Sequence, residues 1–206
     1  FSYQEDSPTG ATVRNLRLAA HRIESAYQPL MRLCLYLPAF LKTAAHMART
    51  RPPNDPAAVN AKYFLTKVTA EHILTIAMAA DAASAVMALT RFLDTEQYDV
   101  SQLPMECQKC ASLLTMLFMD ETCVQHGLTE HVCRLLESAQ ISVFCNSVCS
   151  VGGNDEEFKV ALARSLGRFK AFTKLALITM MAEFPSFEHF MAFSVFNLAA
   201  PREASE

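Results

Sequence analysis

The chain has 206 residues, of which 51% are hydrophobic and 19% charged, and this composition favours one large globular domain over a disordered chain. Its formal net charge of −3 gives no general attraction to nucleic acid or anionic lipid. No run approaches the roughly 18 consecutive apolar residues of a membrane span, so the sequence predicts no transmembrane segment.

The two ends of the chain are more polar than the rest. We expect a disordered lead-in at residues 1–11, a single all-helical domain at 12–200 and a polar tail at 201–206. Because the chain starts at Phe1 with neither a methionine nor a basic and apolar leader, we interpret it as part of a longer protein.

Seven cysteines indicate a reducing environment. Their number is odd, and most stand among apolar residues at helical spacing, which favours free buried thiols over a disulfide framework. We therefore predict an intracellular protein, located in the cytoplasm or the nucleus.

The stretch Asp55–Leu93 predicts one long central helix. Asp55 is a favourable N-cap, Pro56 suits the first helical position, and no further proline and no glycine occurs in the stretch. Its middle is rich in alanine, which lets neighbouring helices come close, so we expect burial on more than one side. A helix of this length would be about 55 Å long, and the alternative is one break near Asp81. His72 falls on the apolar face, where a hydrogen-bonded core histidine is expected.

Apolar residues between Val13 and Ala48 recur at alternating steps of three and four. Such a seam is typical of a coiled coil, but Pro29 and Pro38 lie within it, and proline kinks or breaks a helix. We predict a kinked pair of antiparallel bundle helices, and the alternative is an intermolecular coiled coil.

Later segments also have helical periodicity, and strand-like alternation is absent. The predicted helices run from Pro104 to about Met119, from Leu128 to Ser150, from Asn154 to Pro185, and from Phe187 to Ala199. The predicted inner side of the third of these is Phe158, Leu162, Leu166, Phe169, Phe172, Leu175 and Ile178. The predicted fold class is all-α, with six to eight helices in a bundle or helical-hairpin array around a long central helix.

A cluster of cysteines and histidines raises the question of zinc. Cys107 and Cys110 are followed by Cys123 and His126 at spacings that can close a tetrahedral site. The residues between the two pairs form an apolar helical pattern, however, and no glycine turn follows Cys110. We therefore predict no metal and no cofactor, with reduced thiols.

The sequence contains no local signature of nucleophilic or metal-dependent catalysis, such as Gly-x-Ser-x-Gly or His-Glu-x-x-His. We predict that the protein is not an enzyme. A small zinc- or cysteine-dependent enzyme remains the third of three functional readings.

Two sets of basic residues follow helical spacing. They could contact phosphate groups or an acidic membrane surface, although most such stripes are solvated outer faces of helices. The sets are Lys159, Arg164, Arg168, Lys170 and Lys174, and, near the start, Arg14, Arg17, His21, Arg22 and Arg32.

Phenylalanine recurs at every third position in the last predicted helix. Because an α-helix turns about 100° per residue, these rings spread over about half of the helix surface, and a helix packed by one face would leave some of them in water. We predict a partner or dimer interface there, and the alternative is a helix sandwiched within the fold. The predicted interface residues are Phe187, Phe190, Met191, Phe193 and Phe196.

The leading functional hypothesis is a non-enzymatic scaffold or regulatory domain that binds a partner helix or peptide in a groove between its own helices. Self-association as a homodimer is part of this hypothesis, and no nucleic-acid partner is expected. The second hypothesis is a helical domain that contacts lipid or phosphoinositide through its basic faces.

Overall fold

The computed structural model describes residues 23–95, 99–137 and 155–183, and these ranges contain helices and no strand. Over them the prediction of an all-α fold is confirmed. The α-helices in these ranges are α1 (Ile23–Leu35), α2 (Leu37–Thr50), α3 (Pro56–Lys67), α4 (Ala70–Leu93), α5 (Leu103–Leu114), α6 (Leu128–Glu137) and α7 (Asp155–Glu183). A π-helical turn, Thr115–Met119, extends α5, and short 3₁₀ turns at Val100–Gln102 and Thr122–Val124 precede α5 and α6.

Helix α4 is the centre of the bundle. It packs against α1, α5, α6 and α7, and its buried residues lie on several sides. One buried cluster joins Leu74 in its first half to α2, α3 and α6. A second joins Met78 and the residues after it to α5 and α7. The predicted long helix buried on more than one side is thus present as α4.

The single helix predicted over Asp55–Leu93 is wrong, because the chain breaks at Val68 and Thr69. Both residues have extended backbone angles, with ψ of 133° and 165°. Thr69 caps α4: its hydroxyl accepts a hydrogen bond from the backbone N–H of His72, and its own N–H donates to Nδ1 of His72, both at 3.3 Å. This reciprocal cap satisfies N–H groups that a helix start leaves unpaired, so the break lies here and not near Asp81.

The prediction of a core histidine at position 72 is also wrong. His72 is exposed, and its ring takes the place that glutamate or glutamine usually has in a capping box.

We expect Thr69→Ala to lower the free energy of unfolding by about 1 kcal/mol, since alanine cannot accept the capping hydrogen bond. Urea denaturation followed by circular dichroism measures the change. Thr43→Ala is the matched control, because the exposed Thr43 hydroxyl only bonds the carbonyl of Ala39 within its own helix. Equal stabilities of the two variants would contradict a stabilising cap at Thr69.

The chain between α1 and α2 bends without reversing. The two helices are separated only by Tyr36, whose N–H donates to Arg32 O and whose carbonyl accepts from Phe40 N, each at 2.9 Å. The predicted antiparallel pairing of these two helices is therefore wrong, although the kink is present. Pro38 accounts for it, since proline lacks the N–H that would bond four residues back and its ring crowds that carbonyl. Helix α1 continues through Pro29.

The described part of the seam faces the core of the same chain, which favours the bundle over the intermolecular coiled coil. Cys34, Leu37, Leu41 and Ala44 are all buried in one cluster. Helix α2 then packs against α3, with the rings of Phe40 and Phe64 in edge contact at 5.4 Å.

The predicted start of α3 is confirmed. The Asp55 carboxylate accepts a hydrogen bond from Ala57 N at 2.7 Å, and Pro56 opens the helix. This cap and the prolines before it mark the point where the connection between α2 and α3 ends and helix α3 begins.

Helix α5 and its π-helical turn cover the predicted segment from Pro104 to Met119. The turn has a bond from Asp120 N to Thr115 O at 3.1 Å, five residues apart. A π-helical turn rotates by a smaller angle per residue than an α-helix does. Phe118 therefore stays on the face that Cys110 and Leu114 present to the core.

The inner side predicted for α7 is correct only in its first half. Phe158, Leu162, Leu166 and Phe169 pack on the two clusters, but the later members of the predicted set are 44–64% exposed. The reason is helix geometry, since each step of three falls about 60° short of a full turn. The residues that stay packed follow alternating steps of three and four. After Phe169 they continue with Thr173, Ala176 and Met180. The later members of the set are Phe172, Leu175 and Ile178.

Several predictions lie outside the described residues. They concern the lead-in at 1–11, the end of the helix predicted from Leu128 to Ser150, the cap at Asn154, the helix Phe187–Ala199 and the tail at 201–206.

Helix α4 is long and apolar enough to cross a membrane by length and composition alone, and half of its most apolar window is buried inside the bundle. The core helix of a soluble protein meets the same criterion, so the predicted lack of a transmembrane segment stays a prediction.

Candidate functional site

An apolar groove lies between α1, α4 and α7. Its volume is about 490 Å³, within the range of about 300–1,000 Å³ typical of ligand pockets. The alanines of α4 form most of one wall, and because their side chains are short, the space above them stays open. The lining residues are Leu30 of α1, Ala79, Ala82, Ala83 and Val86 of α4, and Arg168, Phe169 and Phe172 of α7.

Aromatic contacts fix the α7 wall of the groove. The ring of Phe118, fully buried, lies 5.0 Å from that of Phe169, which in turn lies 5.9 Å from the ring of Phe172. Such tilted and edge contacts are favourable for aromatic rings. The row therefore runs from the core, through the half-buried Phe169, to the exposed Phe172 at the rim.

Two arginines of α7 form ion pairs with one glutamate of α4 at the rim next to this wall. Arg168 bonds Glu71 at 2.6 Å, and Arg164 approaches the other oxygen of the same carboxylate at 3.7 Å. Both arginine side chains are more than 60% exposed, so the pairs add little stability. They do place a charged edge beside an otherwise apolar groove.

The apolar surface continues along α7 beyond the groove. Leu175 and Ile178 are each 64% exposed, and Met181 is 75% exposed. Lys174 is the single charged residue between Ala171 and Ala182. A helix that is apolar on nearly all sides is normally covered by other elements, so among the described residues this half of α7 presents an exposed apolar surface.

A buried carboxylate lies behind the groove on the same helix. Asp81 is 8% exposed and points to the start of α6. One of its oxygens accepts from Leu128 N at 3.0 Å, and the other accepts from the N–H and the hydroxyl of Thr129 at 2.9 and 2.6 Å. Asp81 thus caps α6, which has glycine where a capping side chain normally stands.

Gly127 makes room for this carboxylate. A Cβ atom at this position would lie 2.9 Å from Oδ1 of Asp81, and the φ angle is +95°, a region that favours glycine. Its carbonyl accepts the first helical bond from His131 N at 3.2 Å. Burial raises the pKa of Asp81, although the three hydrogen bonds act in the opposite direction. We interpret Asp81 as a structural cap, since all its partners belong to the helix start.

The four residues whose spacing raised the question of zinc are not arranged to bind a metal ion. Cys107 and Cys110 are buried in α5, Cys123 is buried in the 3₁₀ turn before α6, Cys133 is buried in α6, and His126 is exposed. Within the described ranges, no three side chains of His, Cys, Asp or Glu come together to hold an ion.

Burial keeps the described thiols protonated. It raises the pKa of Cys34, Cys123 and Cys133 to about 12, and the pKa of Cys107 and Cys110 is raised for the same reason. The thiolate is the form that attacks electrophiles and binds metals. These five cysteines are therefore poorly suited to either role.

Most of the basic stripe on α7 is engaged in ion pairs. Lys159 pairs with Glu156 at 3.3 Å, Lys170 pairs with Glu121 at 2.6 Å, and the two arginines share Glu71. This pairing reduces the positive charge that α7 offers to a phosphate group. In the other stripe Arg14, Arg17, His21 and Arg22 lie outside the described residues.

The predicted interface residues Phe187, Phe190, Met191, Phe193 and Phe196 also lie outside the described residues, and their role stays a prediction. Sequence reasoning noted the alanines of α4 but did not place Leu30 and Phe172 beside them. It also missed Asp81, for which the available signal was Gly127 and Leu128 opening a helix without a capping side chain.

Comparison with models of protein families, with curated proteins and with solved structures finds no match for this chain. The functional argument therefore depends on the geometry of the chain itself.

Proposed function

We propose that the chain is a non-enzymatic interaction domain that binds a partner helix in the groove between α1, α4 and α7. The observation that supports this most directly is an apolar groove of about 490 Å³ with an alanine wall on α4. A groove with short side chains on one wall accepts long side chains from its ligand. Recognition of this kind places the apolar face of an amphipathic helix in a hydrophobic groove.

The chemistry of the groove defines the partner. Three of the four α4 residues that line it are alanines, and Phe169 and Phe172 face them from α7, so a ligand helix needs leucine, methionine or aromatic residues at steps of three and four. Arg168 at the rim shares Glu71 with Arg164, and the one net positive charge of these three side chains favours an acidic residue on the polar edge of that helix. We place this activity in a scaffold or regulatory protein inside the cell, in keeping with its free thiols.

Filling the groove should abolish binding. Ala83 is half-buried and lines the groove, whereas Ala88 is exposed on the same helix and does not line it. We expect Ala83→Phe to weaken the binding of a helical peptide at least about tenfold, equivalent to 1.4 kcal/mol, and Ala88→Phe to leave it unchanged. The peptide is selected against the intact protein from a library of amphipathic helices, and affinity is measured by fluorescence anisotropy.

The result is decisive if both variants retain the circular dichroism spectrum of the parent. If neither Ala83→Phe nor the second filling variant, Ala79→Leu, changes the affinity of the selected peptides, the groove is not the binding site. If the library yields no binder, the proposed helix-binding function is wrong.

A further inference from the structure

Two arginines of α7 share a single carboxylate beside the groove. Arg168, which lines the groove, contacts Oε1 of Glu71 at 2.6 Å, and Arg164 stands 3.7 Å from Oε2. We call these three residues the Glu71 cluster. Among the described residues neither arginine has another acidic partner. Because the cluster carries two positive charges and one negative charge, it can accept one further carboxylate before its charge is balanced.

The backbone beneath the cluster is fixed on both helices. Ser165 of α7 is fully buried one position after Arg164, and its hydroxyl lies 3.5 Å from the carbonyl oxygen of Glu71. The hydroxyl of Thr75 donates to the same oxygen at 2.7 Å. The backbone at Glu71 is therefore held against α7, and a change of partners within the cluster requires movement of side chains alone.

The side chains of the cluster are free to exchange partners. Those of Arg164 and Arg168 are 67% and 63% exposed, and an ion pair so open to water is held only weakly. A guanidinium group also has five N–H donors. Arg168 can therefore turn to a new acceptor while Arg164 closes on Glu71. After this exchange every charge of the cluster has a partner.

The cluster lies at one end of the groove. Glu71 is in the first turn of α4, about 12 Å along the helix before Ala79, the first α4 residue of the lining. Arg168 is likewise the first α7 residue of the lining, which ends at Val86 on α4 and Phe172 on α7. A helix lying in the groove therefore meets charged groups at one of its ends and apolar side chains at the other.

We propose that Glu71 holds the position that a partner carboxylate takes on Arg168. When a partner helix binds, an acidic residue in one of its terminal turns accepts from Arg168, and Glu71 pairs with Arg164. A glutamine at that position gains little from the exchange, and a lysine meets the net positive charge of the cluster. The cluster thus selects the charge of the partner and the end of its helix that lies beside the first turn of α4. The exchange rests on the proposed function, since it takes place only when a helix occupies the groove.

Peptides with a changed charge at one end test this selection. The probe is a helical peptide selected against the intact protein whose binding is weakened by Ala83→Phe, so that it lies in the groove. It is synthesised with glutamate, glutamine or lysine in either terminal turn, and affinity is measured by fluorescence anisotropy. At one end we expect glutamate to bind about threefold more tightly than glutamine and about tenfold more tightly than lysine. The same changes at the other end should have no effect, and the preference should shrink at high salt.

Two variants of the protein test the exchange itself. The measured quantity is the ratio of affinities for the glutamate and glutamine peptides, which cancels any general effect of a variant on the groove. Glu71→Gln removes the internal carboxylate, so the ratio should rise from about threefold to about tenfold. Arg168→Gln should lower the ratio to about one, and this variant carries the test if Glu71→Gln does not retain the circular dichroism spectrum of the parent.

Glu106→Gln is the matched control for Glu71→Gln. The side chain of Glu106 is 17% exposed, close to the 21% of Glu71, and it pairs with Lys109 at 2.7 Å on α5, which does not line the groove. The ratio should stay at its parental value in this variant. An equal rise in both variants would show that net charge alone, and not exchange at Arg168, determines the preference.

The outcomes separate the exchange from the proposed function. If peptides bind the groove with a ratio near one in the parent, or with the same preference at both ends, the function stands and the selection by the cluster is wrong. If Arg168→Gln abolishes the preference but Glu71→Gln leaves it unchanged, Arg168 recognises the partner without exchange, and the role of Glu71 is wrong. If no peptide in the library binds the groove, both the proposed function and the exchange are wrong.

Discussion

Replacing Asp81 with alanine is expected to lower the free energy of unfolding by about 3 kcal/mol. The change leaves three donors at the start of α6 without their acceptor, and an unpaired buried polar group costs about 1–3 kcal/mol. Water entering the space left by the carboxylate offsets part of this cost. Urea denaturation followed by circular dichroism measures the loss.

Asp94→Ala is the control for Asp81→Ala. Asp94 is exposed after the last turn of the same helix, so its replacement should change stability by no more than about 0.5 kcal/mol. If Asp81→Ala is as stable as this control, the cap does not stabilise the fold.

The contribution of Asp81 should also depend on pH in a defined direction. Burial raises its pKa in the folded chain above the ordinary value of 3.8, so the folded state binds this proton more tightly than the unfolded state does. Proton binding by this group therefore adds a contribution that is fully present below about pH 3.8 and is lost as the pH rises through the raised value, whereas the hydrogen-bonded cap stabilises the fold above that value too. The stability difference between the parent and Asp81→Ala should shrink over that window and stay constant above it.

Replacing Phe118 with alanine is expected to lower the free energy of unfolding by about 4 kcal/mol, a typical cost of truncating a fully buried phenylalanine. Phe118 is 0% exposed. It joins the α5 side of the second cluster to Phe169, the residue that positions the groove wall. The same denaturation measurement applies.

Met116→Ala is the matched control, since Met116 lies in the same π-helical turn but is 44% exposed. We expect it to change stability by less than about 1 kcal/mol. A small loss for Phe118→Ala, comparable with that of Met116→Ala, would show that the core lies elsewhere.

Local signals in the sequence predicted the elements whose boundaries depend on neighbouring residues. Asp55 with Pro56 started α3, and Pro104 marked the first turn of α5, because caps and prolines act within one helical turn. The break at Thr69 was missed because a histidine takes the place of glutamate in its capping box.

Features that depend on distant residues could not be predicted in this way. Asp81 interrupts an apolar helix and resembles a break, whereas its partners lie 47 and 48 positions further along the chain. The groove requires Leu30, Ala83 and Phe172 to meet from three helices. No spacing rule within one helix contains that information. In contrast, the drift of Phe172 and Leu175 away from the packed face follows from the helical repeat alone.

The cap that Asp81 provides for α6 has a consequence for the order of folding. A helix capped by its own neighbouring residue can start before it meets the rest of the protein, but the first turn of α6 receives its acceptor only after α4 has docked. Closing a loop of this length costs chain entropy before any contact is gained. Mutations at Thr129 should therefore have low φ-values and mainly accelerate unfolding, which makes the start of α6 a late addition to a bundle assembled around α4.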